Sequence, residues 1–109
     1  MAVIFYLSGS GNSLYAARQL AEKLKDCRLE TIGSYLRKPY DVNDEVVGIV
    51  SPVYCFALPP MMAQFLEKLK AKPSYCFGVV TMGGNQGRAL KQMSDALVAK
   101  KITLNYAQT

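Results

Sequence analysis

Ser8-Gly9-Ser10-Gly11-Asn12-Ser13 packs three hydroxyls, one carboxamide and two glycines into six consecutive residues. Hydroxyls and amides donate hydrogen bonds, and glycine lets backbone N–H groups turn tightly and approach a ligand closely. Placed ahead of a helix, such a run suits an anion, because the first helical amides lack partners and the helix dipole adds positive potential there. The run has no Lys or Arg, so a phosphate would be held by dipoles alone. Elsewhere the chemistry is narrow. The chain has no histidine, which removes imidazole bases and His-ligated metals. Cys27, Cys55 and Cys76 are too widely spaced for a zinc or iron–sulfur site.

Something must carry that run to a common edge with other loops, and the hydropathy pattern supplies it. Ala2 to Leu7 is apolar on both faces, as a buried parallel strand must be. From Ser13 to Lys25, Leu14, Ala17, Leu20, Ala21 and Leu24 keep the 3.6-residue period of an amphipathic helix, with Arg18, Glu22, Lys23 and Lys25 on the other side. A weaker strand follows over 28–32, and 33–44 reads as a polar connection with room for one helical turn. A third strand spans 46–50. Pro59-Pro60 opens a helix whose inward stripe is Met62, Phe65, Leu66 and Leu69, ended by Pro73. A fourth strand at 75–80, a helix at 86–99 and a last strand at 102–107 complete the alternation. Five strands and three helices in this order predict an α/β domain over 1–109, an open parallel sheet with right-handed crossovers. In such a sheet the ligand crevice lies at the carboxyl ends of the strands, which selects loops 8–13, 51–58 and 81–87. None of the three contains a carboxylate.

Three phosphate-loop patterns compare with the first of these. The Walker spacing and its lysine are absent. The dinucleotide fingerprint is half met by Gly9 and Gly11, but Leu14 stands where the third glycine belongs, and two residues of probable strand follow Glu30, the candidate ribose contact. The run resembles instead the [ST]-x-[ST]-G-N-[ST] phosphate loop of flavodoxins, which bind flavin mononucleotide (FMN). Gly11-Asn12-Ser13-Leu14-Tyr15-Ala16 and Pro52-Val53-Tyr54, with Leu58-Pro59 shortly after, are similar to the flavodoxin half of proteins in which a flavodoxin domain precedes a bacterial-type ferredoxin domain.

The resemblance implies a three-layer flavodoxin-like sheet of five strands in the order 2-1-3-4-5. FMN would be its cofactor, contacted by Ser8, Ser10, Gly11, Asn12, Ser13 and Leu14 at the phosphate, and by Pro52, Val53, Tyr54, Cys55, Thr81, Met82, Gly83 and Gly84 around the ring. Tyr54 is either a stacking partner for the ring or a tyrosine packed at a strand end. Gly83 and Gly84 either admit the flavin edge or form a tight turn. Cys55 reads as a wall residue, since nothing nearby lowers its pKa. The implied role is electron transfer or flavin-dependent oxidoreduction with a ferredoxin-like or reductase partner. The alternative on the same fold is a non-redox phosphate-binding or assembly module that retains no flavin.

The remaining expectations come from composition. A net charge of +5 is spread over scattered Lys and Arg rather than a stripe, so no nucleic-acid partner is expected. No apolar run reaches the ~20 residues of a membrane span. No export signal is visible, and three odd cysteines suit a reducing, cytoplasmic setting. The family's final helix is absent after the fifth strand, which predicts a truncated domain or an apolar sheet face available to a second copy.

Overall fold

The computed structural model describes residues 2–7, 11–24, 26–52, 60–81, 86–102, 104 and 106–108; at 11–13, 52, 81, 86–90 and 106–108 it describes the backbone. Strand β1 (Ala2–Tyr6) leads to helix α1 (Gly11–Lys23), β2 (Cys27–Thr31) and α2 (Ile32–Arg37). Next come β3 (Asp41–Val42), β4 (Val46–Pro52), α3 (Pro60–Lys68) and β5 (Lys70–Ala71). The chain then forms β6 (Tyr75–Thr81), α4 (Gln86–Val98) and β7 (Tyr106–Gln108). The main sheet is parallel with five strands in the order β2-β1-β4-β6-β7. With the short β3 and β5 set aside, this is the expected 2-1-3-4-5 order.

The sheet is buried unevenly on its two faces. On β1, Val3, Phe5 and Leu7 enter one core with Ile32 and Tyr35 of α2, Phe65 and Leu66 of α3, and Met93 and Leu97 of α4. Ile4 points the other way and meets Ala17 of α1 together with Val50 and Phe77. Both faces of β1 are therefore apolar because both are covered, which is why its sequence does not alternate. The α2/α3/α4 core centres on an aromatic cluster. Phe5 lies 4.9 Å from Phe65 and 5.5 Å from Tyr35, and Tyr35 lies 5.3 Å from Phe65, in tilted and edge-on geometries that favour aromatic pairs.

On the α1 face the Phe77 ring of β6 lies over Gly48 of β4, its register partner, in the space a side chain there would occupy. Beyond it the surface opens. Leu20, Leu24, Val46, Tyr75, Phe77 and Val79 border a shallow apolar groove of about 210 Å³, and Tyr75 is 41% exposed. Among the described residues this groove is an exposed apolar stretch of the sheet beside α1.

Three local features depart from expectation. The parallel pair β3–β5 has no sequence signature, since each strand is two residues long. The last strand begins at Tyr106 rather than Ile102. Ile102 instead closes α4: its N–H donates to the Leu97 carbonyl (2.9 Å), the Lys101 N–H donates to that of Val98 (2.9 Å), and Lys101 takes a left-handed φ of 63°. These are the bonds of a Schellman cap, with buried Ile102 as its apolar partner. The first helix opens at Gly11, so the last three residues of the Ser/Gly-rich run form its first turn. No helix among the described residues is long and apolar enough to cross a membrane.

Candidate cofactor crevice at the strand ends

The sheet order reverses at β1, because the chain goes first to β2 on one side and then returns to β4 on the other. Crevices in open parallel sheets form at this reversal, outside the carboxyl ends of the strands. β1 and β4 are in register from Ala2↔Val46 to Tyr6↔Val50, and β4 and β6 from Val46↔Tyr75 to Pro52↔Thr81. The chain therefore leaves β1, β4 and β6 at one edge, from three neighbouring strands, and the three singled-out loops start side by side. The Leu7 N–H donates to the Val50 carbonyl (3.4 Å) and ties the exit of β1 to β4.

Gly11, Asn12 and Ser13 supply backbone to the first turn of α1, which follows β1 after four residues and has no acidic side chain. Helices leave their first amides without internal partners, so this turn offers N–H groups and positive potential at the crevice. Leu14, the next residue of the helix, is half-buried. Pro52 and Thr81 are the last residues of β4 and β6 and are placed by their backbone. Ser8, Ser10, Val53, Tyr54, Cys55, Met82, Gly83 and Gly84 lie outside the described residues. The structure thus brings the described ends of the segments that carry the expected site, Leu7, Gly11, Pro52 and Thr81, to one edge.

The sequence matches the flavodoxin-domain family over residues 3–106, nearly its whole length. The chain belongs to that family. Among solved structures, this flavodoxin domain is similar to a flavoprotein from Lactobacillus acidophilus NCFM solved in complex with FMN, at 14% identity and a TM-score of 0.67, covering 98% of this chain and 91% of that one. It is similar to the rubredoxin oxygen:oxidoreductase of the anaerobe Desulfovibrio gigas at 20% identity and a TM-score of 0.66, covering 99% of this chain but 30% of that one. It also resembles the Trp repressor binding protein of Bacillus subtilis at 10% identity and a TM-score of 0.62, covering 98% and 81%. At these identities the likeness is one of fold. No curated protein matches the sequence significantly.

Other polar groups of the flavodoxin domain are committed elsewhere. Glu30, weighed above as a ribose contact, accepts a 2.6 Å hydrogen bond from the Tyr40 hydroxyl and lies 3.8 Å from the Arg28 guanidinium. Arg28 in turn donates to Tyr40 Oη (2.9 Å) and pairs with the nearly buried Asp44 at 2.9 Å. Burial and the bond to Glu30 raise the Tyr40 pKa above its ordinary value, against the opposing pull of Arg28. This clamp joins β2 to the segment entering β4 and was not legible in the sequence, because its hydrogen bonds between the two segments span 10 to 16 residues with no local pattern.

The two described thiols are poor nucleophiles. Burial pushes Cys76 up to about 12, and burial, with the Asp44 carboxylate adding to it, raises Cys27. No group of metal-ligating side chains occurs among the described residues.

Proposed function

We propose that this chain binds FMN at the carboxyl edge of β1, β4 and β6 and serves as an electron-transfer protein or as the flavin-binding domain of an oxidoreductase. One observation carries the reading: Gly11-Asn12-Ser13, the end of the Ser/Gly-rich run, opens α1 after the strand at which the sheet order reverses. The residues present fit the cofactor. A phosphate requires donors and the absence of nearby carboxylates, and loops 8–13, 51–58 and 81–87 satisfy both. Ser8, Ser10, Gly11, Asn12, Ser13 and Leu14 would hold the phosphate end. Pro52, Val53, Tyr54, Cys55, Thr81, Met82, Gly83 and Gly84 would flank the ring. Bound flavin supplies one- and two-electron redox chemistry, and the chain's task is to position it, cover a face and direct hydrogen bonds at its ring nitrogens. That task needs no histidine and no acid–base pair. A ferredoxin-like or reductase protein is the expected partner, docking over the loops after β4 and β6. Cys27 and Cys76, neither of them in a disulfide, suit a cytoplasmic setting.

The test is the visible spectrum of the purified protein, followed by titration with FMN and measurement of flavin fluorescence quenching. Saturable quenching is expected. Ser10→Ala together with Asn12→Ala should weaken it on the order of a hundredfold, since two donors to a charged group are lost. Quenching that is absent, or equal in the double variant, rejects this site. The exposed sheet face beside α1 favours a second reading, a non-redox assembly module on the same fold, which predicts a colourless protein that still binds inorganic phosphate at the loop.

A further inference from the structure

The pole opposite this crevice carries a second, basic surface. β3 and β5 pair where the chain enters β4 and β6, at the amino ends of those strands. The length of β6 separates this pole from the carboxyl edge by about 20 Å. An open groove of about 560 Å³ lies here, rimmed by Lys70, Lys72 and Lys100. Val42 and Leu69, both nearly buried, and Ala71 give it an apolar floor. Asp41 is the one carboxylate in its lining, so three ammonium groups face one acid. Among the described residues, none of the three lysines is held in an ion pair.

The groove is built by packing, not by chance approach of surface side chains. The hydroxyl of fully buried Tyr35 accepts from the Lys70 N–H (3.0 Å) and donates to the Tyr40 carbonyl (2.8 Å), fixing β5 against the segment entering β3. The Schellman cap of α4 fixes the turn that bears Lys100. Lys70 stands in β5 and Lys72 just beyond its end, both on the rim of the groove, and two residues of extended backbone span about 6.6 Å.

We propose that this groove docks an acidic, extended polypeptide segment. Alternating carboxylates in an extended chain repeat at the same spacing as Lys70 and Lys72, and its intervening side chains would rest on the apolar floor. A nucleic acid fits less well. Single-strand binders add aromatic platforms for the bases, whereas among the described residues no aromatic or arginine side chain lines this groove. The proposal is independent of flavin binding, because the site lies at the other end of the sheet.

The test uses a fluorescein-labelled eight-residue peptide of alternating Glu and Thr, with binding to the full chain followed by anisotropy at low and moderate salt. Saturable binding that weakens as salt rises is expected. Lys70→Glu, Lys72→Glu and Lys100→Glu together should reduce affinity at least about tenfold while leaving the thermal midpoint nearly unchanged, because all three side chains are exposed. A control replacing Lys23 and Lys91, exposed lysines that do not line the groove, with Glu should bind as the parent does. Absence of binding overturns the proposal. So does equal loss in the control, which would reflect net charge alone, or tighter binding of a single-stranded oligonucleotide of the same charge.

Discussion

Cys76 reports on the covered core through its proton. An unfolded thiol ionises near its ordinary value of 9.0, whereas the native chain keeps this one protonated to about 12. Its contribution to stability is therefore complete below about pH 9 and is lost as pH rises toward 12, because the unfolded chain gives up its proton first. The slope from this group is up to about 1.4 kcal/mol per pH unit. Urea midpoints of the parent and of Cys76→Ala at about pH 8 and about pH 10.5 isolate it from lysines and tyrosines titrating in the same range. The variant is expected to be less stable at the lower pH and to lose less on going to the higher; parallel losses refute the assignment. Tyr35 makes a second residue-scale case. Replacement by Phe keeps its three aromatic contacts but deprives the Tyr40 carbonyl and the Lys70 N–H of their shared partner. A loss of about 1–3 kcal/mol is expected in denaturant unfolding, and a loss below about 0.3 kcal/mol would mean that water replaces the hydroxyl there.

At the scale of elements, the end of α4 makes the clearest demand on sequence. Lys101 holds a left-handed φ of 63° at the position where helices commonly place glycine, and an L side chain pays about 1 kcal/mol for that conformation. Lys101→Gly should therefore raise stability by up to about 1 kcal/mol, read as a higher thermal midpoint, while Lys101→Val should lower it. The same cap explains what the sequence concealed. Ile102 and Leu104 alternate with polar neighbours and read as the start of a strand, but Ile102 is the apolar lock of the cap, and pairing with β6 begins only at Tyr106. β1, β4 and β6 were legible because burial on both faces leaves an uninterrupted apolar run, and α1, α3 and α4 because one-sided burial imposes the helical period. The pair β3–β5 was not legible, since its register depends on a tyrosine hydroxyl 35 residues away from one of its members. The polar groups divide in the same way. The Ser8–Ser13 run proposed for phosphate is contiguous and stands out in the sequence, whereas the Arg28–Tyr40–Asp44 clamp, away from the crevice, exists only once β2 has been brought beside the entry to β4.

For the molecule as a whole, the asymmetry of the two sheet faces governs where substitutions are tolerated. Ile49 on β4 is fully buried under the α2/α3/α4 layer, while Val79 on β6 is half-buried beside the apolar groove that α1 leaves open. Ile49→Thr removes apolar volume and places a hydroxyl in a closed core, at about 2–4 kcal/mol. Val79→Thr places the same hydroxyl where water can reach it and should cost less than about 1 kcal/mol. Denaturant midpoints at two protein concentrations about fiftyfold apart distinguish an open face from a covered one. An open face gives the small cost at both concentrations. If a second copy covers the face in solution, the cost for Val79→Thr rises toward that for Ile49→Thr and the parent's midpoint climbs with concentration, since association stabilises by mass action. The lysine groove predicts the opposite sensitivity: its lysine side chains are exposed, so reversing their charge should leave both midpoints in place while weakening peptide binding at least about tenfold.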